Sequence, residues 1–107
     1  MAYRVDLTER AVRDLRRIYH TIDADVSAQA RAWFKELERV VLSLDEHPAR
    51  GAVIPEDGSL HHLLYGRKPD VYRVIYEIDQ QSQVVTVLHI RHGRRHAFTP
   101  GDEHGDG

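Results

Sequence analysis

The stretch Val-Tyr-Arg-Val-Ile-Tyr-Glu-Ile-Asp, from Val71 to Asp79, decides the fold of this 107-residue chain. Its alternation predicts a β-strand over Val71–Ile78, because successive side chains of a strand point to opposite faces of the sheet. One face carries Tyr72, Val74, Tyr76 and Ile78, and the other carries Arg73, Ile75 and Glu77. The first face is suited to packing under helices, and the second combines an apolar residue with charged ones.

A second strand, Val84–His92, follows after a short polar segment. If Gln80–Ser82 forms a three-residue hairpin loop, Asp79 pairs with Gln83. The register then makes three pairs across the hairpin: Ile78 with Val84, Val74 with Leu88, and Arg73 with His89. It predicts Val84, Leu88 and Ile90 under the helices, and Val87, His89 and Arg91 on the opposite face.

Two amphipathic helices are predicted upstream of these strands. Tyr3–Leu7 alternates as a short first strand, and Thr8 is suited to cap a helix that ends near Asp23. A second helix, capped by Asp25, is expected to end at His47, because the residue before a proline is pushed out of the helical region. Its packing face is predicted from an apolar stripe of Val26, Ala30, Trp33, Leu37, Val40 and Leu44.

The remaining segment connects the helices to the sheet. A loop rich in Pro and Gly is expected over residues 48–58, and Leu60–Tyr65 is predicted to be a strand. The element order predicts an α+β fold, in which a helical hairpin packs on one face of a small, mainly antiparallel sheet. A single domain is expected over residues 1–98, followed by a polar, disordered tail over residues 99–107.

Charge is distributed unevenly along the chain. Residues 61–96 contain six Lys/Arg and three acids, although the formal net charge of the whole chain is −2. Non-specific nucleic-acid binders usually have a pI above about 9, so any contact with nucleic acid is expected to be local. Cysteine is absent, which excludes disulfides and thiolate chemistry. Because the sequence shows neither an apolar leader nor a membrane span, a cytoplasmic protein is expected.

The same basic segment contains five of the eight histidines. Arginine beside imidazole can hold an anionic substrate and transfer protons near neutral pH. The simpler explanation is that these arginines have a structural role, since an arginine on an open sheet face more often pairs with a neighbouring acid. His61 and His62 point to opposite faces of a strand, so at most one of them can face a common cleft. No third ligand stands nearby at a metal-binding spacing, and neither a metal nor a cofactor is predicted.

The chain resembles the RelE/ParE superfamily, which comprises toxins of type II toxin–antitoxin and plasmid-stabilisation modules. The resemblance depends on three segments, Tyr3–Tyr19, Val71–Asp79 and Val87–Arg95, and it spans residues 3 to about 98. It implies the element order β-α-α-β-β-β. It also implies one of two activities: RelE-like toxins cleave messenger RNA in the ribosomal A site without a metal, whereas ParE-like toxins poison DNA gyrase. Both are silenced by an antitoxin whose C-terminal segment wraps the toxin.

The resemblance also suggests site residues. Arg73 matches the family's third-strand arginine and is predicted to clamp a phosphate in the transition state. Arg91, Arg94 and Arg95 stand where RelE-like toxins keep basic residues at and after the last strand. We therefore predict a catalytic set of Arg73, His92 and Arg94, and a substrate-binding set of His62, Lys68, His89, Arg91 and Arg95.

Two departures from the RelE pattern leave other activities open. The second strand carries Leu60–Tyr65 where RelE-like enzymes present lysines, and Lys68 lies in the loop that follows. The family's C-terminal catalytic tyrosine falls near Phe98, which has no proton to exchange, although His92 or His96 could replace it. A ribosome-dependent mRNA endoribonuclease is favoured, acting on ribosome-bound mRNA. A toxin that inhibits DNA gyrase and an inactive antitoxin-binding protein are the alternatives, and a cognate antitoxin is the expected partner.

Overall fold

The computed structural model describes residues 2–93. They form seven main elements: β1 (Arg4–Leu7), α1 (Glu9–Thr21), α2 (Ala28–Leu42), β2 (Ala52–Ile54), β3 (Asp57–Arg67), β4 (Asp70–Asp79) and β5 (Val84–His92). The strands make one sheet in the order β1-β5-β4-β3-β2, in which only the β1–β5 pair is parallel. The predicted α+β architecture is therefore confirmed. The predicted tail, 99–107, lies outside the described residues.

Helix α1 begins where the sequence predicts. The Thr8 hydroxyl accepts a hydrogen bond from the backbone N–H of Ala11 at 3.0 Å, which satisfies one of the free donors at the helix start. The same hydroxyl donates to the carbonyl oxygen of Leu88 at 2.9 Å. The cap therefore also attaches α1 to β5.

Helix α2 begins later and ends earlier than predicted. Its N-cap is Ser27, not Asp25, and the Ser27 hydroxyl accepts from the backbone N–H of Ala30. Asp23 has a φ of 58° and its carbonyl accepts from the N–H groups of residues 26 and 27, so a turn occupies the segment before the helix. As a result Val26, expected in the packing stripe, is 80% exposed. The helix ends at Leu42, and two short 3-10 turns follow, over Ser43–Asp45 and Pro48–Arg50.

Both helices pack on one face of the sheet. The main core contains Ala11, Ile18, Phe34, Leu37, Val41, Leu44, Leu63, Tyr72, Val74, Tyr76, Val85, Val87 and Ile90. A smaller apolar cluster, Ile54, Leu60 and Ile75 with Leu88 packed against it, lies apart from this core. No helix among residues 2–93 has the length and apolar character needed to cross a membrane.

The turn between β4 and β5 is one residue longer than predicted. Asp79 pairs with Val84, so the turn contains the four residues 80–83. Gln83 ends this turn with a φ of 58°, a left-handed conformation that does not continue a strand. The prediction that Asp79 pairs with Gln83 was therefore wrong.

A bulge then changes the register further along the same pair of strands. Tyr76 pairs with Val87 and Ile75 pairs with His89, which leaves Leu88 as the extra residue. Two predictions are corrected by these two shifts. Val85 and Val87 lie under the helices where Val84 and Leu88 were expected, and Arg73 stands opposite Arg91 instead of His89.

The segment predicted as a loop over residues 48–58 contains strand β2. It pairs antiparallel with β3, and the pairing of Ile54 with Asp57 leaves a tight two-residue turn, Pro55 and Glu56, between them. Ile54 is 1% exposed, so it anchors the turn in the smaller apolar cluster. This turn determines where Glu56 lies relative to the sheet.

Candidate anion-binding site

Arg73 lies in the middle of β4 and is held by contacts from two neighbouring segments. Its Nη1 and Nη2 donate to the two carboxylate oxygens of Glu56 at 3.1 and 3.2 Å. Its Nε donates to Nδ1 of His62 at 3.0 Å. The side chains of Arg73 and Glu56 are 12% and 17% exposed, so solvent screens this pair less than a surface ion pair. Two parallel bonds between guanidinium and carboxylate form a directional, charge-assisted contact.

His62 is a neutral imidazole in this arrangement. A guanidinium has no hydrogen-bond acceptor, so Nδ1 of His62 must accept and its proton must lie on Nε2. Burial lowers the pKa of His62, and the nearby charge of Arg73 lowers it further, while Glu56 acts in the opposite direction. The prediction that His61 and His62 face opposite sides is confirmed, since His61 stacks on Tyr76 with 5.4 Å between the ring centroids.

Positive charge is concentrated at this part of the sheet. Arg91 on β5 stands directly opposite Arg73, and Arg91 is 6% exposed. Like charges directly opposite each other on neighbouring strands are destabilising unless an anion offsets them. The carboxylate of Glu56 supplies such an anion for Arg73. On the other side of Arg73, Leu64 of β3 is its pairing partner and is 57% exposed.

His89, predicted to bind substrate, belongs to a buried cluster beneath α1. Its Nδ1 lies 3.0 Å from Oδ2 of Asp14, and the two side chains are 2% and 3% exposed. Asp14 also accepts from the backbone N–H of Ile90 at 2.9 Å and from Nε of Arg10 at 3.1 Å. Burial raises the pKa of Asp14, but the hydrogen bonds from His89, Ile90 and Arg10 outweigh it, and the pKa is lowered overall. Asp14 is thus an ionised group that joins α1 to the edge of β5.

The other predicted residues lie elsewhere. Nε2 of His92 is 3.1 Å from Oδ1 of Asp70, and the His92 ring packs edge-on against Tyr72. Lys68 is exposed in the turn between β3 and β4. Arg94 and Arg95 lie outside the described residues. The structure therefore joins His62 to Arg73 by a hydrogen bond and pairs Arg91 with Arg73 in strand register only. It places His89 and His92 against carboxylates of their own.

An apolar groove of about 820 Å³ lies at the end of the helical hairpin. It is lined by Thr21, Ile22, Ser27, Gln29, Ala30, Trp33, Tyr65, Gly66, Arg67, Asp70 and Tyr72. Trp33 packs edge-on against Tyr65 and Tyr72, with ring centroids 4.8 and 5.8 Å away. A concave apolar surface with a few polar groups is typical of a binding site for another molecule.

Comparison with known families identifies the chain. The family described as ParE toxin of the type II toxin–antitoxin system, parDE, matches residues 5–97. The chain belongs to the ParE toxin family. It is therefore a toxin of a type II toxin–antitoxin system within the RelE/ParE superfamily, as the sequence resemblance implied. No curated protein sequence matches the chain.

Solved structures of RelE/ParE toxins share this fold. The chromosomal ParDE toxin–antitoxin system of P. aeruginosa matches with a TM-score of 0.68 at 19% identity, covering 85% of this chain and 96% of that chain. A mutant of the E. coli toxin RelE in the free state matches with a TM-score of 0.61 at 20% identity, covering 88% and 86%. The archaeal RelE–RelB complex from Pyrococcus horikoshii matches with a TM-score of 0.53 at 25% identity, covering 89% and 100%. This ParE-family chain is thus similar in fold to both branches.

Glu56 is the residue of the site that sequence reasoning missed. It lies in the segment predicted as a loop, 17 residues before Arg73. The sequence Pro-Glu-Asp-Gly over residues 55–58 contains the residues that favour tight turns, and Ala-Val-Ile precedes it. That combination was a signal for a hairpin, which would have placed an acid beside the strands.

Proposed function

We propose that this ParE-family toxin acts by binding DNA gyrase and not by cleaving RNA. The observation that carries the proposal is the bidentate contact of Glu56 with Arg73. A catalytic phosphate clamp is preorganised for its substrate, whereas this guanidinium must first release a carboxylate before it can hold an external oxyanion. Membership of the ParE family supports the same choice.

The placement of the histidines also supports binding over catalysis. Metal-free RNA cleavage needs one group to accept a proton from the attacking hydroxyl and another to protonate the leaving oxygen, both beside the same phosphate. Nδ1 of His89 faces Asp14 and Nε2 of His92 faces Asp70. A toxin that acts by binding has no need for such a pair of proton-transfer groups.

An mRNA endoribonuclease is the second candidate, and one specific contact favours it. His62 and Arg73 are hydrogen-bonded at 3.0 Å, with Arg91 opposite Arg73. An imidazole hydrogen-bonded to a guanidinium is a chemically reasonable arrangement for RNA cleavage once the carboxylate moves away. In that case Arg73 would contact phosphate and His62 would transfer the proton.

We also propose that a cognate antitoxin is the natural partner and that it covers the apolar groove at the end of the helical hairpin. Solved structures with this fold include the archaeal RelE–RelB complex from Pyrococcus horikoshii and the chromosomal ParDE toxin–antitoxin system of P. aeruginosa. An exposed apolar groove that contains Trp33 and Tyr65 is suited to burial by a partner segment. Arg73 faces the small apolar cluster and not this groove, so target and antitoxin would use different surfaces.

Two assays with the purified toxin distinguish the candidates. Supercoiling by DNA gyrase is measured with increasing toxin, and mRNA integrity is measured on translating ribosomes with the same toxin preparations. We expect inhibited supercoiling and intact mRNA. Arg73→Ala should reduce inhibition at least about tenfold, because one strong charge-assisted contact is lost, and should still bind the antitoxin.

Arg4→Ala is the matched control, since Arg4 is a strand arginine that is 72% exposed and pairs with Asp6. It should leave both the inhibition of supercoiling and the binding of the antitoxin unchanged. Site-specific cutting of mRNA with unaffected supercoiling would replace the proposal with the endoribonuclease. Full inhibition by a folded Arg73→Ala protein would remove Arg73 from the target-binding surface.

A further inference from the structure

The ion pair of Glu56 and Arg73 joins a turn to the centre of the sheet. Glu56 is in the two-residue turn between β2 and β3, and Arg73 is in the middle of the neighbouring strand β4. Because the buried side chain of Ile54 fixes the turn, Glu56 is held where its carboxylate meets the guanidinium. The contact is therefore built into the fold and does not depend on a chance meeting of two surface side chains.

The Glu56 carboxylate occupies the position that an external anion would take. It accepts one bond from each terminal nitrogen of Arg73, at 3.1 and 3.2 Å. Carboxylate and phosphate groups both present two oxygens at the spacing that fits this guanidinium edge. The same guanidinium edge would hold a free oxyanion if Glu56 turned away.

We propose that Glu56 is an internal ligand of an oxyanion-binding site formed by the Arg73 guanidinium, and that an external carboxylate or phosphate binds there only by displacing it. This inference concerns the site itself and holds for a toxin that binds gyrase and for one that cleaves RNA. The ligand class is an oxyanion that can receive two parallel N–H bonds from Arg73.

Such an internal ligand makes the site selective. A tethered carboxylate competes at a high effective concentration, so a small anion that makes no other contact is excluded. An anion carried on a larger ligand can also contact Leu64, which is exposed beside Arg73. Displacement needs only rotation of the Glu56 side chain, since the turn itself stays anchored by Ile54.

The test compares anion binding by the full-length toxin, its Glu56→Gln variant and a matched control. Glu77→Gln is the control, because Glu77 is exposed on the same strand as Arg73 and its substitution removes the same charge. Inorganic phosphate and acetate are titrated separately, and the NMR signals of the Arg73 Nε–H group and the His62 ring are followed. We expect Glu56→Gln to bind at least about tenfold more tightly than wild type, since a hydrogen-bonded charge partner is removed.

Each further outcome decides the matter. Phosphate and acetate are compared by how much more tightly each binds Glu56→Gln than wild type. The anion with the larger gain in affinity identifies the ligand as a phosphate or a carboxylate. Adding Arg73→Gln to Glu56→Gln should abolish the gain. Equal gains in Glu56→Gln and Glu77→Gln, or no gain in either, would overturn the proposal. If circular dichroism shows that Glu56→Gln is unfolded, Glu56→Asp replaces it, because the shorter side chain keeps the charge but cannot reach Arg73. Unchanged affinity in a folded Glu56→Asp protein would also overturn it.

Discussion

The carboxylate of Asp14 shows how a single residue connects a helix to a strand far away in sequence. It accepts from Arg10 within α1 and from the Ile90 backbone of β5, and it lies beside the His89 ring. β5 is paired with β1 only over Val84–Val87, so Ile90 lies beyond that pairing. Asp14 satisfies a backbone donor that no neighbouring strand reaches at this position. The cluster is therefore part of the structure and replaces a stretch of strand pairing.

We predict that Asp14→Asn destabilises the protein by about 3 kcal/mol at neutral pH, because removing one member of a buried charged cluster leaves its partners uncompensated. Asp25→Asn, at an exposed aspartate just before α2, should be nearly neutral. The free energy of unfolding is measured by urea denaturation. If Asp14→Asn lowered the free energy of unfolding no more than Asp25→Asn does, the buried contacts of Asp14 would contribute little to stability.

The same residue predicts how stability depends on pH. The pKa of Asp14 is lowered in the folded protein, from an ordinary value of 3.8. The unfolded chain therefore takes up this proton first, and the stabilisation is present above pH 3.8 and lost as the pH falls through the folded pKa. The stability difference between wild type and Asp14→Asn should accordingly shrink between pH 7 and pH 3.

For individual side chains, the sequence predicted some contacts and missed others for a physical reason. Thr8 could be recognised as an N-cap because its partner, Ala11, is three residues away. Arg73 was assigned to a sheet face by alternation alone. The partner of His89 could not be recognised from the sequence, because Asp14 lies on a helix that meets β5 only in the folded chain.

Among the elements, the two helix starts offer a direct comparison. Each helix has a hydroxyl cap, but Thr8 also donates to the carbonyl of Leu88, whereas Ser27 caps only its own helix. We predict that Ser27→Ala costs about 1 kcal/mol and Thr8→Ala about 2 kcal/mol, because the second change also leaves a partly buried carbonyl without its donor. Thr8→Ser, which keeps the hydroxyl, should recover most of the loss. Equal costs for both alanine variants would show that the bond to Leu88 is not stabilising.

The errors in predicting the elements come from two local features of the strands. Alternation fixes which side chains share a face only while the pairing is regular. The four-residue turn shifts the register by one and reverses the assignment for Val85 and Val87, and the extra residue Leu88 shifts it again before Ile90. Strand β2 was missed because three residues are too few to show a period. Its short length also concealed Glu56, so the chief correction to the site follows from the chief omission in the fold.

In the molecule as a whole, the sheet separates two surfaces. The site of Arg73 lies beside Ile75 and the small apolar cluster, while the groove that contains Trp33 lies at the end of the helical hairpin. A substitution in one surface should therefore leave the function of the other intact. This separation allows the proposed antitoxin surface to be tested without disturbing the proposed target surface.

We predict that Ala30→Arg prevents inhibition by the antitoxin while the toxin remains active. Ala30 lines the groove, so a long charged side chain there fills it without emptying the core. Arginine is a good helix former, which protects the fold of α2. Ala32→Arg is the control, since Ala32 is exposed on the same helix and is not part of the groove lining.

Co-expression with the antitoxin gives the measurement. Growth should remain arrested for Ala30→Arg and be rescued for Ala32→Arg. Antitoxin affinity should fall at least about tenfold for Ala30→Arg, as expected when a long charged side chain fills an apolar contact surface. Rescue of growth in both variants would place the antitoxin on another surface. If Ala30→Arg were inactive even without antitoxin, the groove would have to belong to the target surface, and the separation of the two surfaces would be wrong.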